Sequence, residues 1–272
     1  LLGSLDRASA FSLPADVPIP LRANRRLANM RGPSRQRPQG SARVKRLFDG
    51  LDALTRTERF ESAMRGLNRI LRLDLDVQSR TRVQLSRAEC YLGLRRLDQV
   101  RELIATLEQA ELGPKELVHC ALINAHRLAV SGQAREAFRT VRPILQGSAA
   151  DEIKARAEWV AGLSLYRTGH YSWASQLLKR SAAYYRLNKL PEKLAAVLNN
   201  LGLVMKSRGR IDAALDCLDE AVSLLPPYGC QMTRLRLQTS RGICFLKLGQ
   251  IQRARTCLLE AKTLATSAND QL

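Results

Sequence analysis

The stretch Ala195–Pro226, AAVLNNLGLVMKSRGRIDAALDCLDEAVSLLP, decides the fold. Leu198, Leu201, Gly202 and Met205 fall at helical spacing on one face before Gly209 interrupts the run. Ile211, Ala214, Leu215, Leu218, Ala221 and Val222 then resume the same period. Pro226-Pro227 forbids further helix, because proline lacks the amide donor and clashes with the preceding turn. The spacing predicts two helices joined by a tight turn. Gly202 and Ala214 are small where those helices cross, and Gly209 has the freedom to take the positive φ that such a turn requires.

The turn of this hairpin recurs along the chain as a helix-breaking or polar residue, an apolar residue two positions later, and a small or apolar residue three beyond that. Gly169-His170-Tyr171-Ser172-Trp173-Ala174, Gly209-Arg210-Ile211-Asp212-Ala213-Ala214 and Gly249-Gln250-Ile251-Gln252-Arg253-Ala254 are the clearest copies. Weaker copies begin at Gly132, at Arg95 with Leu97 and Val100, and at Glu58 with Phe60 and Ala63. The starting residues 58, 95, 132, 169, 209 and 249 are separated by 37, 37, 37, 40 and 40 residues. A period this regular predicts stacked helix pairs, each burying its apolar face on its neighbours.

The pattern resembles the tetratricopeptide repeat over residues 47–266. Leu198, Leu201-Gly202, Met205, Gly209, Ile211, Ala214, Leu218, Ala221 and Pro226 occupy that family's signature positions in turn. The following copy supplies Gly242, Phe245, Gly249, Ile251, Ala254, Leu258 and Ala261, and the preceding one Gly162, Leu165, Gly169, Tyr171, Ala174 and Leu178. Arg241 and Ala161 stand where the family has leucine, and the first three copies lack the crossing glycine. Steps of 37 to 40 residues exceed the usual 34. Similar long repeats with the Leu-Asn-Asn-Leu-Gly string of Leu198–Gly202 occur in sensory and regulatory regions of bacterial transcription activators and signalling proteins. The resemblance implies an all-α, right-handed α-solenoid of about six antiparallel helix pairs that binds a protein or peptide, without cofactor or catalysis.

Composition agrees with that architecture. No run reaches the roughly 18 apolar residues of a membrane span, and no sustained alternation signals a strand. Residues 1–46 differ from the rest: five prolines and ten basic residues accompany only Asp6 and Asp16. They are expected to form a mostly disordered basic arm, with a short helix near Leu21–Met30, ahead of a repeat domain at 47–272. The two aspartates and the prolines weigh against a transit peptide, and a first residue other than methionine suits a fragment of a longer protein. The net charge is +19, of which +8 falls on the arm. Such a balance favours acidic partners, either a protein segment or nucleic acid drawn to the arm, against the alternative that the cations solvate convex faces.

The six cysteines form no Cys-x-x-Cys pair. Cys217 and Cys257 recur at one repeat position, as expected of small buried hydrophobes in a reducing, cytoplasmic compartment rather than of disulfides or a metal site. His119 and His126 are seven residues apart, a poor metal spacing. His170 falls in a turn with no nucleophile motif beside it, and no phosphate-cradling loop exists. The chain carries no enzyme signature.

In the resembled family the first helix of each pair lines the concave groove. Transferring that frame gives a ladder of Arg82, His119, Arg156, Ala196 and Arg236, with Ser86, Glu89, His126, Trp159, Tyr166, Arg167, Asn199, Asn200, Lys206 and Ser240 beside it. Asn199 and Asn200 suit a peptide backbone; Arg156, Arg167 and Lys206 suit ligand carboxylates. Trp159 and Tyr166 are either interface anchors or hairpin packing. Asparagine is a poor helix former, so at least one of the pair is expected to face the groove. Nucleic-acid binding through the arm and end-to-end self-association through Leu258, Leu259 and Leu264 are the competing expectations.

Overall fold

The computed structural model describes residues 38–269, with side-chain surroundings over 47–266. The segment 1–37, including the expected helix near Leu21–Met30, lies outside the described residues. Among those described there are twelve helices and no strand. They form six pairs: α1 (Pro38–Arg56) with α2 (Phe60–Ile70), α3 (Val77–Gly93) with α4 (Leu97–Glu108), α5 (Pro114–Val130) with α6 (Ala134–Gln146), α7 (Asp151–Arg167) with α8 (Tyr171–Leu187), α9 (Pro191–Ser207) with α10 (Ile211–Leu224), and α11 (Gln231–Lys247) with α12 (Ile251–Asn269). Helix α1 opens at Pro38, ahead of residue 47 where the sequence places the start of the repeats.

Every pair is closed by a turn of one design. Glu58, Arg95, Gly132, Gly169, Gly209 and Gly249 all have positive φ, between 58° and 93°. One residue later an amide reaches back to a carbonyl five positions earlier: Arg59 to Leu54, Arg96 to Tyr91, Gln133 to Leu128, His170 to Leu165, Arg210 to Met205 and Gln250 to Phe245, at 2.8–3.0 Å. This is the Schellman closure, which satisfies a carbonyl that the helix end would leave unpaired. The chain then re-enters helix at an apolar residue, so each turn hands one amphipathic helix to the next.

Within the later pairs, the crossing glycine sets the interhelix distance. A Cβ on Gly162, Gly202 or Gly242 would meet the Cγ of Leu178, Leu218 or Leu258 at 2.7, 3.0 and 2.8 Å, and the Ala174, Ala214 or Ala254 carbonyl at 3.3–3.5 Å. Leu178 and Leu218 are fully buried, each contributing about 1.5–3 kcal/mol of hydrophobic stabilisation. Leu258, their counterpart in the last pair, stays 36% exposed; Leu259 is more exposed and Leu264 half-buried. Successive pairs stack mainly by the second helix of one on the first helix of the next, most extensively α6 on α7 and α8 on α9, with first helices also touching, α3 on α5, α5 on α7, α7 on α9 and α9 on α11. Pro226 acts as anticipated: Leu225, before it, is extended at φ −79°, ψ 135°, and α10 ends at Leu224.

The longer steps have two origins. Helix α8 has 17 residues where α6 has 13, and the connection 225–230 is longer than the one before α9. That second connection reaches across the superhelix to the first turn. The Cys230 amide donates to the Thr57 carbonyl at 2.9 Å. The Glu58 carboxylate accepts from the Thr233 amide at 3.0 Å and from its hydroxyl at 2.5 Å. Gly229, at φ 83°, lies so close to the Thr57 carbonyl that a Cβ would stand 2.9 Å from it. The first and sixth pairs are thereby joined, and the six pairs close into a ring. No helix among the described residues is long and apolar enough to cross a membrane.

Candidate functional site

Closure converts the concave groove into a cavity of about 620 Å³ lined by residues of all six pairs. The share each helix contributes shifts along the stack. Helices α3 and α5 present their C-terminal halves, with Glu89, Leu92 and His126, and α7 most of its length, from Arg156 to Arg167. Helices α9 and α11 present their middle and N-terminal parts, with Ala196, Leu203, Arg236 and Ile243. Superhelical twist accounts for this drift: a fixed repeat position points into the cavity in one pair and beside it in another.

Eleven of the expected groove residues line the cavity: Glu89, His126, Arg156, Trp159, Tyr166, Arg167, Ala196, Asn199, Asn200, Arg236 and Ser240. Arg82, Ser86, His119 and Lys206 do not. Arg82, near the start of α3, lies over the Phe48 ring at 4.1 Å and pairs with Asp52 at 3.5 Å, so it fastens α3 to α1. Ser86, about one turn further along α3, and Lys206, at the end of α9, are half-buried outside the lining. His119 donates to Glu89 Oε1 at 2.7 Å, and Arg156 Nη1 donates to the same oxygen at 2.6 Å.

The Glu89–His119–Arg156 cluster ties α3, α5 and α7 together at the cavity wall. Burial pushes the Glu89 carboxyl up, but the Arg156 guanidinium and the His119 contact outweigh it and hold the acid below the usual carboxylate range. The cluster alters the role expected of Arg156, whose charge is engaged inside the protein.

His126 has no such partner. Desolvation first, then the nearby Arg156, Arg95 and Arg236 against the opposing Glu89, push its pKa down to about 3. Its neutral ring packs on Trp159 at 5.3 Å, and Trp159 meets Tyr185 edge-on at 6.5 Å. Trp159 is therefore both hairpin packing and cavity wall, and its indole Nε1 is buried without an acceptor among the described residues. Tyr166 packs on Tyr171 at 6.0 Å. Both asparagines line the cavity in different states. Asn199 is buried and accepts from Ser240 Oγ at 3.0 Å, joining α9 to α11. Asn200 is half-buried, and its amide makes no side-chain hydrogen bond among the described residues.

Sequence reasoning missed Arg95 and Glu58, which also line the cavity. Their signal was present: each is a charged residue at the turn position that holds glycine in the last four pairs. The six cysteines are free, five of them buried, and burial raises every thiol pKa, that of Cys230 to about 12. Among the described residues no group of His, Cys, Asp and Glu is placed to hold a metal ion.

No protein-family model matches the chain, and no curated protein is similar to it in sequence. Solved structures share its fold. A Rap protein complexed with competence and sporulation factor aligns with a TM-score of 0.65 at 12% identity, over 84% of this chain and 67% of that one. The apo form of RapI aligns at 0.55 and 11%, over 83% and 66%. PlcR of Bacillus thuringiensis, in complex with the peptide PapR7 and DNA, aligns at 0.58 and 12%, over 67% and 69%. The chain spans about two thirds of the length of each of these proteins. The likeness is one of fold: this is a tetratricopeptide-type α-solenoid.

Proposed function

We propose that the chain is a binding module that captures a peptide or an extended protein segment in its central cavity, as the sensory or regulatory part of a cytoplasmic bacterial signalling or transcription protein. The observation that carries this reading is the single cavity to which all six pairs contribute. Its volume lies within the roughly 300–1,000 Å³ of sites that enclose small ligands. Leu203, Met232 and Ile243 offer apolar contact there, and Asn200 offers a donor and an acceptor to a peptide backbone. Two solenoids of similar fold are seen in complex, PlcR with the peptide PapR7 and a Rap protein with competence and sporulation factor. Because the cavity is closed by contacts between the first and sixth pairs, an occupant that prefers a wider or narrower ring shifts the balance between closed and open forms. That is the form regulation takes in this reading.

Selection from a displayed library of random short peptides tests it. Ala196→Trp places an indole in the cavity, while Gln252→Trp places one on the exposed face of α12. The reading requires selected peptides to lose binding to Ala196→Trp and keep it with Gln252→Trp. Peptides that bind both variants like the parent chain sit elsewhere, and the cavity assignment fails.

A further inference from the structure

Three arginines of the cavity wall have no partner. Arg95 comes from the turn of the second pair, Arg167 from the end of α7 and Arg236 from α11, and all three line the same space. None makes a side-chain hydrogen bond or ion pair with another described residue. Two of the three carboxylates of the wall are engaged by other residues. Glu89 is held by Arg156 and His119. Glu58 is held by the amide and hydroxyl of Thr233. Glu192 sits in the first turn of α9, where it complements the positive end of that helix. Six cations face three acids around the cavity.

The three guanidinium groups act on one another. Desolvation by the protein around the otherwise exposed Arg95, then the charges of Arg236 and Arg167, bring its pKa down to about 10. Arg236 is also lowered, by enclosure, with Glu58 opposing. His126 is kept neutral by burial first and then by Arg156, Arg95 and Arg236. Folding thus gathers like charges that water would otherwise separate, an unfavourable arrangement that an incoming anion relieves. The backbone adds an independent observation. Arg95 is held at φ 60°, a left-handed conformation costing roughly 1–2 kcal/mol outside glycine, at a position where the last four pairs have glycine. Strain of this kind collects at functional sites.

Building on the reading of the cavity as a peptide site, we propose that Arg95, Arg167 and Arg236 form a receptor for a carboxylate of the captured segment. The module thereby selects peptides that present an aspartate, a glutamate or a free C-terminus to the centre of the ring. Planar guanidinium forks match carboxylate geometry with paired N–H donors, and three of them arriving from alternate pairs fix the register of the segment. Arg95 and Arg167 are exposed and Arg236 is half-buried, so the attraction is sensitive to salt.

The test uses fluorescence anisotropy of the full chain with three pools of short labelled peptides that differ only in carrying Asp/Glu, Asn/Gln or Lys at the variable positions. The acidic pool should bind tightest, weaken as salt is raised, and lose about tenfold in affinity with each of Arg95→Gln, Arg167→Gln and Arg236→Gln. Helical circular dichroism of these variants should match the parent and their melting should equal or exceed it, since no protein contact is removed and like-charge repulsion is relieved. If all pools bind alike and the glutamine variants bind as the parent does, while Ala196→Trp abolishes binding, the carboxylate receptor is overturned and the cavity reading survives. If no pool responds to Ala196→Trp, both fall. Competition by inorganic phosphate or a single-stranded oligonucleotide that equals or exceeds that of unlabelled acidic peptide overturns the carboxylate assignment in favour of a phosphate ligand.

Discussion

At the scale of single residues, the six turn positions show how one backbone requirement is met by different side chains. Four glycines take the left-handed conformation freely, whereas Glu58 and Arg95 hold it against steric cost, and both point into the ring. Arg95→Gly should therefore raise the melting temperature by roughly 2–4 °C while weakening acidic-peptide binding; a melt showing no gain would mean that the left-handed turn is unstrained there. His126 makes a second prediction. In the unfolded chain it titrates near 6.5, and in the fold its pKa is about 3. Between those values the unfolded chain binds the additional proton, so stability rises with pH through the window and is lost as pH falls from about 6.5 towards 3. His126→Phe should flatten the dependence of urea stability on pH between about 5 and 6.5, above the range in which carboxylates titrate. An unchanged slope would contradict the neutral, cation-surrounded histidine.

At the scale of elements, much was legible because the repeat states its own rules. The periodic apolar faces, the turn residues 58, 95, 132, 169, 209 and 249, and the Pro226 stop all follow from local physics, and each corresponds to an observed feature. The crossing positions were legible only in the last three pairs. In the first, the small residue has changed sides: Leu51 is buried at the crossing, and Gly66 on α2 makes room for it, since a Cβ there would stand 2.6 Å from the Leu51 side chain. A frame that assumes glycine on the first helix cannot see that exchange. The added Cβ is tighter at Gly162 than at Gly202. Overpacking costs about 1–3 kcal/mol, and replacing a helical glycine by alanine returns about 1 kcal/mol. Gly162→Ala should lower the urea midpoint clearly and Gly202→Ala little or not at all; the reverse order would show that Leu178 repacks more easily than Leu218.

At the scale of the whole molecule, ring closure was not legible, because it is the sum of small rotations between pairs and of one longer connection, 225–230, that no local pattern announces. The same accumulated twist explains why a fixed repeat frame brought Arg156 and Arg236 to the cavity and left Arg82 and Lys206 outside it. Closure rests on few polar contacts: the Cys230 amide on Thr57, the Cys230 thiol on the Arg56 carbonyl, and the Glu58 carboxylate on Thr233. Combining Glu58→Ala with Thr233→Val removes the last of these, and the radius of gyration from small-angle X-ray scattering should increase while helix content stays constant. An unchanged radius would place the closure in stacking alone. The position of a bound ligand is the most direct test of the cavity's role. A crystal structure of the chain with the tightest acidic peptide is predicted to show that peptide within the ring, with a carboxylate between Arg95, Arg167 and Arg236 and its backbone against Asn200. A peptide seated on the convex face, or a cavity left empty beside a bound peptide, would contradict it.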